Sequence, residues 1–485
     1  MTDTGRIRGT LRERTRQLVY GELDAAALRR ELGPISEVDL AHLVMLRERD
    51  LIDPPGAARL LRLIGDLRAA EFAPLLGRPA PRGAYLMYEE YLVGELGEAA
   101  GRLHTGRSRN DLKATVTAIQ LRGWTLEFLS EATRLEAVLL ARARAHADVL
   151  MPVYTHFQAA MPITYGYYLS GIALALGRDV EAMLRALDGL SACPMGAGAV
   201  AGSDLPIDPV RVAALLGFER PAAHALDAVA SRDTLLRLVG AAAGVAITLS
   251  RLATDLQLWS TAEFGFLHFP DRLVGGSSAM PQKRNAFLLE HVKAKAAHVQ
   301  GAWSAAAAAI KSTPFTNTIE VGTEAVSAAL PGLQAATDSV LFCQALVGGA
   351  RPVPKRMARR AEEGFVTATI VANGLVRAGL PFRTAHQLVG DAVRRTVESG
   401  GSRLEGVRLP QGTPSGVAAD VPLRQAAEAL RHGGGPGELD AILDRALRDL
   451  AGRAEQCAGL RVRLRESART RTEAVRHVMD EGTNG

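Results

Sequence analysis

The chain has 485 residues, of which 47% are hydrophobic, 22% charged and 5% aromatic, a balance that excludes a disordered chain and leaves room for a large buried core. The formal charge of +5 and pI near 9.2 are modest for this length. A nucleic-acid footprint needs a denser basic patch with interleaved aromatics, which the cluster Arg6, Arg8, Arg12, Arg14 and Arg16 does not supply; it reads as a solvated N-terminal arm.

Ala, Leu and Gly dominate and β-branched runs are few, so the expected class is all-α. Residues 1–105 read as short helices, among them Ser36 to Leu51, with Ser36 as N-cap and a break at Asp53–Gly56. Residues 106–350 alternate long Ala/Leu-rich segments with Gly-containing loops. The expected helices are Asp111 to Ala147, Tyr165 to Leu190 and Ser231 to Thr261, the last about 30 residues or roughly 45 Å. Helices of this length predict a long bundle that packs against copies of itself. The apolar stretch Leu238 to Ser250 is short for a membrane span and runs into Arg251 and Asp255, so a buried helix is expected. Gly348, Gly349 and Pro352 mark a boundary, and 351–485 reads as shorter helices with a frayed end from Asp480 to Gly485.

Cys193, Cys343 and Cys457 are far apart, with no C-x-x-C spacing and no disulfide framework. The N-terminus lacks the apolar core of a signal peptide. A cytoplasmic location is expected, with no metal and no organic cofactor.

Three segments are too polar to be simple connectors: Gly101–Asp111 (GRLHTGRSRND), Met151–Pro162 (MPVYTHFQAAMP) and Gly275–Asn285 (GGSSAMPQKRN). The first offers a hydroxyl (Ser108), a guanidinium (Arg109) and an amide (Asn110) at a helix start, an anion site by chemistry and a plain polar N-cap by a blander account. The second places Thr155 and His156 between apolar flanks. A core histidine is the ordinary explanation, but Tyr154 and Gln158 point to a polar pocket wall. The third joins glycines and paired serines to Gln282, Lys283 and Asn285, groups suited to carboxylates. It lacks G-x-x-x-x-G-K-[ST] and G-x-S-x-G, which sets aside a phosphate loop and a serine hydrolase elbow; a surface linker is the remaining plain account.

Together the three segments resemble the signature regions of the fumarase/aspartase superfamily, and within it the argininosuccinate lyase family with its delta-crystallin relatives. LHTGRSRND, MPVYTHFQAAMPITYG and GSSAMPQKRN are similar to that family's three regions, and the likeness runs from about Pro34 to Val393. The resemblance implies a three-region fold, a homotetramer with sites shared between chains, and elimination from a succinyl-amine to give fumarate without a cofactor. It implies Ser277 as base, Lys283, Asn285, Ser108, Arg109, Asn110, Thr155 and Gln282 as groups around the succinyl carboxylates, and His156 as acid, with Glu290 setting its pKa. A non-catalytic, crystallin-like tetramer is the alternative.

Departures fall on the amine side. Where the family reads like PLAYNKDLQEDKE, this chain has PFTNTIEVGTEAV from Pro314 to Val326, with Asn317, Gly322 and Ala325 in place of the Tyr, Gln and Lys that contact arginine. EDIHM is replaced by Arg82 to Leu86, with Tyr85 in the histidine position. Ala286 replaces a proline, and the GGRF-like start is absent. These changes point to an amine other than arginine; the alternative is argininosuccinate itself, with other residues such as Glu320 or Glu324 rebuilding an arginine site.

Overall fold

The structure, a computed structural model, describes residues 9–404 and 421–484; Arg6 and Arg8 lie outside this range. Around the N-terminus, α1 (Glu13–Tyr20) buries nothing and holds Arg16 against Glu13 at 2.5 Å, a solvated arm as expected. Next, α2 (Ala25–Glu48) begins well before Ser36, capped by Asp24, whose side chain accepts from the Ala27 amide at 2.7 Å. The expected N-cap at Ser36 is therefore wrong: Ser36 is buried in mid-helix, its hydroxyl donating to the Gly33 carbonyl at 2.9 Å. Pro34 lies inside this helix and has no N–H for the Arg30 carbonyl. The Gln120 side chain donates to that carbonyl at 3.4 Å instead. Two prolines open α3 (Pro54–Ala69) at its first turn, where no N–H is needed; α4 (Ala84–Leu96) and the single turn α5 (Glu98–Gly101) follow.

The central region matches the expected helices to within a few residues. It holds α6 (Arg109–Ala145, 37 residues), α7 (Tyr165–Leu187), the short α8 (Pro209–Leu215) and α9 (Ala225–Ala230), α10 (Asp233–Ser260), α11 (Phe287–Ile310) and α12 (Ala325–Gly349). The five long helices pack around one core, α6 on α7, α7 on α10, α10 on α11, α11 on α12 and α12 back on α6. Length and composition alone would let α10 cross a membrane: its most apolar window has a mean hydropathy of 1.5, so the judgement that this stretch is too short does not hold. Here 44% of that window is buried within the chain, with Leu238, Val245, Leu249 and Leu256 in the bundle core. Asp255 on the same helix accepts from the Tyr168 hydroxyl at 2.6 Å.

Between α6 and α7 lies an element the sequence did not reveal, the antiparallel hairpin β1 (Leu150–Thr155) and β2 (Gln158–Thr164). Pro152 sits opposite Pro162, and a bulge lies between Val153 and Tyr154. Prolines in both strands hide the pattern, because they are tolerated only where no ladder N–H is required. Two further strand pairs, Ala192–Cys193 with Arg220–Pro221 and Leu267–His268 with Arg351–Pro352, tie loops together in an otherwise helical chain.

The last region starts as expected with α13 (Pro354–Glu363), α14 (Ala368–Arg377), α15 (Phe382–Glu398) and α16 (Leu423–Ala429). It does not stay short. One helix of 46 residues, α17 (Leu439–Asn484), runs back across α2, α3, α6 and α7, and the expected fraying from Asp480 gives way to helix through Asn484. The end is docked: Val478 is buried, and a Cβ at Gly482 would fall 2.4 Å from the Pro54 carbonyl oxygen.

Within this seam Glu136 of α6 is 1% exposed and pairs with Arg453 of α17, which also reaches Glu181 of α7 at 3.4 Å. Burial outweighs the arginine and pushes Glu136 up to about 7 from 4.5. The folded protein therefore holds a proton that the unfolded chain has released, and this group's contribution to stability falls as pH rises from about 4.5 to about 7. Melting curves at about pH 5 and about pH 8 should show a larger drop in Tm for wild type than for Glu136→Gln. Equal drops would show that Glu136 does not titrate in this window.

Candidate active site

The first polar segment is a well-built helix start. Ser108 caps α6, accepting from the Asn110 amide at 3.3 Å, while Asp111 accepts from the Ser108 amide at 2.9 Å to complete a capping box. Asp111 does more than cap. Its second oxygen accepts from the amides of Gly196 at 3.1 Å and Gly198 at 2.9 Å, which pins the 194–208 loop onto the helix. Burial raises this carboxyl above its ordinary range although these backbone amides pull it down.

Behind the cap, Arg107 forms a wholly buried ion pair with Asp39 of α2 at 2.5 Å. Asp39 also accepts from Tyr88 at 2.9 Å, and Arg107 donates to Tyr85 at 3.3 Å. Tyr85, in the position of the family's histidine, donates to Glu89 at 2.5 Å, and Glu89 lies 3.0 Å from His104. Burial pushes the Tyr85 hydroxyl up, so it stays a proton donor. Burial opposes the Arg107 charge, but Asp39, Tyr85 and Glu89 together outweigh burial and hold the guanidinium charged. In the sequence Arg107 and Asp111 stand inside the first polar segment, Asp111 as part of a Ser-x-Asn-Asp cap, but carry no assigned site role, and Asp39 has no signal within its helical stretch.

Asn110 is half-buried and its amide is engaged, Nδ2 donating to the Ala199 carbonyl at 3.0 Å and Oδ1 accepting from Asn317 Nδ2 at 2.9 Å. The divergent segment Pro314–Val326 thus lies against the first polar segment of the same chain. Its middle forms a π-helical turn, Glu320–Glu324, running into α12. Ala325 is fully buried and cannot reach a ligand. Arg109 is exposed and has no ion-pair partner among the described residues.

The second segment is the hairpin tip. His156 and Phe157 occupy the two turn positions with φ of 50° and 60°, left-handed conformations that Asn-Gly adopts readily and these side chains do not. The tip holds Thr155 and His156 in solvent, and Phe157 is 85% exposed. His156 is thus not a core histidine.

The third segment is a loop closed by paired backbone bonds between Gly275 and Asn285, both 2.8 Å. Ser277 Oγ accepts from the amides of Ala279 at 3.3 Å and Met280 at 3.1 Å. Asn285 Nδ2 donates to the Gly276 carbonyl at 3.4 Å, and Gln282 and Lys283 project into solvent. Glu290, on the first turn of α11, accepts from Gln257 Nε2 at 3.2 Å, and Lys293 holds the other end of that amide at 2.5 Å.

One chain does not bring these groups together. Ser108 and His156 flank opposite ends of α6, which spans about 55 Å, and the hairpin arm recovers only roughly 20 Å. Arg232, before α10, and the 311–324 segment lie at the Ser108 end. At the other end, Trp259 packs on Tyr165 and Gly349 on Leu273, which places the hairpin and the Ser277 loop there. Among the described residues no hydrogen bond, ion pair or ring contact joins His156 to Ser277 or to Glu290.

Comparison with known proteins identifies the fold and the family. A class II fumarase from Schistosoma mansoni shares the fold with a TM-score of 0.69 at 16% identity, over 81% of this chain and 90% of that one. The crystal structure of EDDS lyase in complex with formate matches more fully, with a TM-score of 0.84 and 26% identity over 98% and 97% of the two chains. The fold and its polar segments define a member of the fumarase/aspartase superfamily. The pattern of the Lyase family matches residues 84–301 and that of the argininosuccinate lyase C-terminal family residues 365–413. The argininosuccinate lyase of Methanoculleus marisnigri is 38% identical over 359 residues, 74% of this chain and 73% of that one. The chain belongs to the argininosuccinate lyase family.

The Asp39–Arg107 pair should anchor the first segment. Asp39→Ala leaves the guanidinium buried without a counter-charge, with only the Tyr85 hydroxyl beside it, at an expected cost of about 3–5 kcal/mol, read as a lowered Tm. A loss under ~1 kcal/mol would show that the pair is not what holds the segment.

Proposed function

We propose that this chain cleaves the C–N bond of an N-succinyl compound by β-elimination, releasing fumarate and a free amine, in an assembly where several copies share each site. The observation that carries it is Ser277 Oγ receiving two backbone N–H groups in the loop that also carries Lys283 and Asn285. A serine hydroxyl is a poor base. Amides aimed at its oxygen stabilise the alkoxide that can remove the proton next to a succinyl carboxylate. Electrons from that C–H bond pass first into the adjacent carboxylate, giving a dianionic aci-carboxylate, and then form the new double bond as the C–N bond breaks. The nitrogen leaves with a proton from His156, directly or through a water.

Lys283 and Asn285 from one chain, Ser108, Arg109 and Asn110 from another and Thr155 from a third would bind the two carboxylates and stabilise the dianionic intermediate. Gln282 would border the same pocket. Glu290, fixed on one oxygen by Gln257, has no hydrogen-bond partner for its other oxygen among the described residues, which leaves it for the His156 of a neighbouring copy. Antiparallel association of long helices brings the Ser108 end of one chain to the His156 and Ser277 ends of others, and a homotetramer is the expected assembly. Exposed Ile247, Trp303, Leu330 and Leu341 on α10, α11 and α12 give that association an apolar face to bury.

For the amine, the curated relatives are named argininosuccinate lyases, while the structural match to EDDS lyase indicates that the fold serves more than one amine. The 314–326 segment favours an amine other than arginine: Asn317 is turned onto Asn110, residue 322 has no side chain and Ala325 is buried. Purified protein mixed with argininosuccinate, and separately with fumarate and a panel of amines, is followed by fumarate absorbance. The expected result is turnover of some N-succinyl compound at ~1–10³ per second, with argininosuccinate slower, and a loss of at least ~10²-fold in Ser277→Ala. Fast cleavage of argininosuccinate would contradict the amine assignment. No turnover in either direction would contradict the lyase assignment.

A further inference from the structure

We propose that Asn317 is a positioning residue: it fixes which way the Asn110 amide faces and so leaves one Asn110 N–H for a substrate carboxylate. The inference rests on the carboxylate-binding part given to Asn110 above. The polarity of the hydrogen bonds carries it. The Ala199 carbonyl can only accept, so the Asn110 atom 3.0 Å from it is Nδ2. Asn110 Oδ1 then faces the other way and needs a donor, which Asn317 Nδ2 supplies at 2.9 Å.

Asn317 Oδ1 in turn lies beside Gly322, where a Cβ would fall 2.8 Å from it. A side chain at 322 would crowd Asn317 Oδ1 and shift the amide that holds Asn110, so the departures at 317 and 322 are coupled. Arg232 stands behind the pair. It is 8% exposed, its Nη2 is 4.0 Å from the same Cβ point, and among the described residues its guanidinium donates only to the Val229 and Ser231 carbonyls.

The Asn110 amide has two hydrogens, and Ala199 takes one. The second has no partner among the described residues. It sits on the first turn of α6, where the helix dipole favours an anion. With the amide reversed, Oδ1 would meet the carboxylate and repel it.

Isothermal titration of the assembled full-length protein with fumarate tests this. Asn317→Asp is close in shape but can only accept, so it either repels Asn110 Oδ1 or draws Nδ2 to itself, which gives up the Ala199 bond and presents Oδ1 outward. The expected result is a Kd for fumarate raised at least ~10-fold in Asn317→Asp and by a few-fold in Asn317→Leu and Gly322→Ala. The Asn317→Asp loss relative to wild type should persist at about 0.5 M salt, where charge repulsion alone is screened. Fumarate binding as tight as wild type in all three variants, or an Asn317→Asp loss that disappears in salt, overturns the inference alone. Wild-type protein that binds no fumarate overturns the reading beneath it and the inference together.

Discussion

An α-helix is a stiff rod, and the length of α6 decides where chemistry can occur in this molecule. Its 37 residues hold Ser108 and Asn110 at one end and hand the chain to the His156 hairpin at the other. A capped, hydrogen-bonded helix cannot fold back on itself, so the Ser108–Asn110 segment and the His156 hairpin of one chain stay apart. Each end is nevertheless finished as if for use. The cap at Ser108 is pinned by Asp111 and backed by the buried Asp39–Arg107 pair, and the hairpin tip holds His156 in a left-handed turn. Strain of this kind persists where surrounding structure enforces it. The apolar residues left exposed on α10, α11 and α12 supply the surface through which copies can align their opposite ends.

The two halves of the proposed chemistry fare differently. Groups for the succinyl half are present and locally supported: two amides on Ser277 Oγ, Gln257 on Glu290, and a polarised amide at Asn110. On the amine half the structure turns a list of altered residues into an arrangement. Ala325 is interior packing, and Asn317 with Gly322 forms a compact pair that closes against the first segment.

Much of this was legible from sequence because it is local. Ala/Leu-rich runs bounded by Gly and Pro gave α6, α7 and α10 nearly to the residue, and clustered hydroxyls, amides and cations marked the three polar segments. What stayed hidden depends on distant partners or on broken local rules. The hairpin has prolines in both strands and His-Phe where a turn usually carries Asn-Gly. Pro34 inside α2 is tolerated because Gln120, far along the chain, serves the carbonyl it orphans. The apolar residues of α17 are a narrow stripe among many charges, recognisable as core only once Leu443, Ala446, Cys457 and Val478 are seen packed. The Asn317–Asn110 bond spans 207 positions and no local pattern announces it.

The central claim is that each site is assembled from the ends of different chains, and a mixing experiment tests it most directly. Ser277→Ala and Asn110→Ala each remove one group of the site, from opposite ends of the bundle. Co-expressed with different tags and purified through both, the two inactive variants should form mixed assemblies in which some sites receive an intact Ser277 and an intact Asn110 from different chains. The account predicts that fumarate-releasing activity reappears in those assemblies at a substantial fraction of wild type. Mixed assemblies as inactive as either parent alone would contradict it.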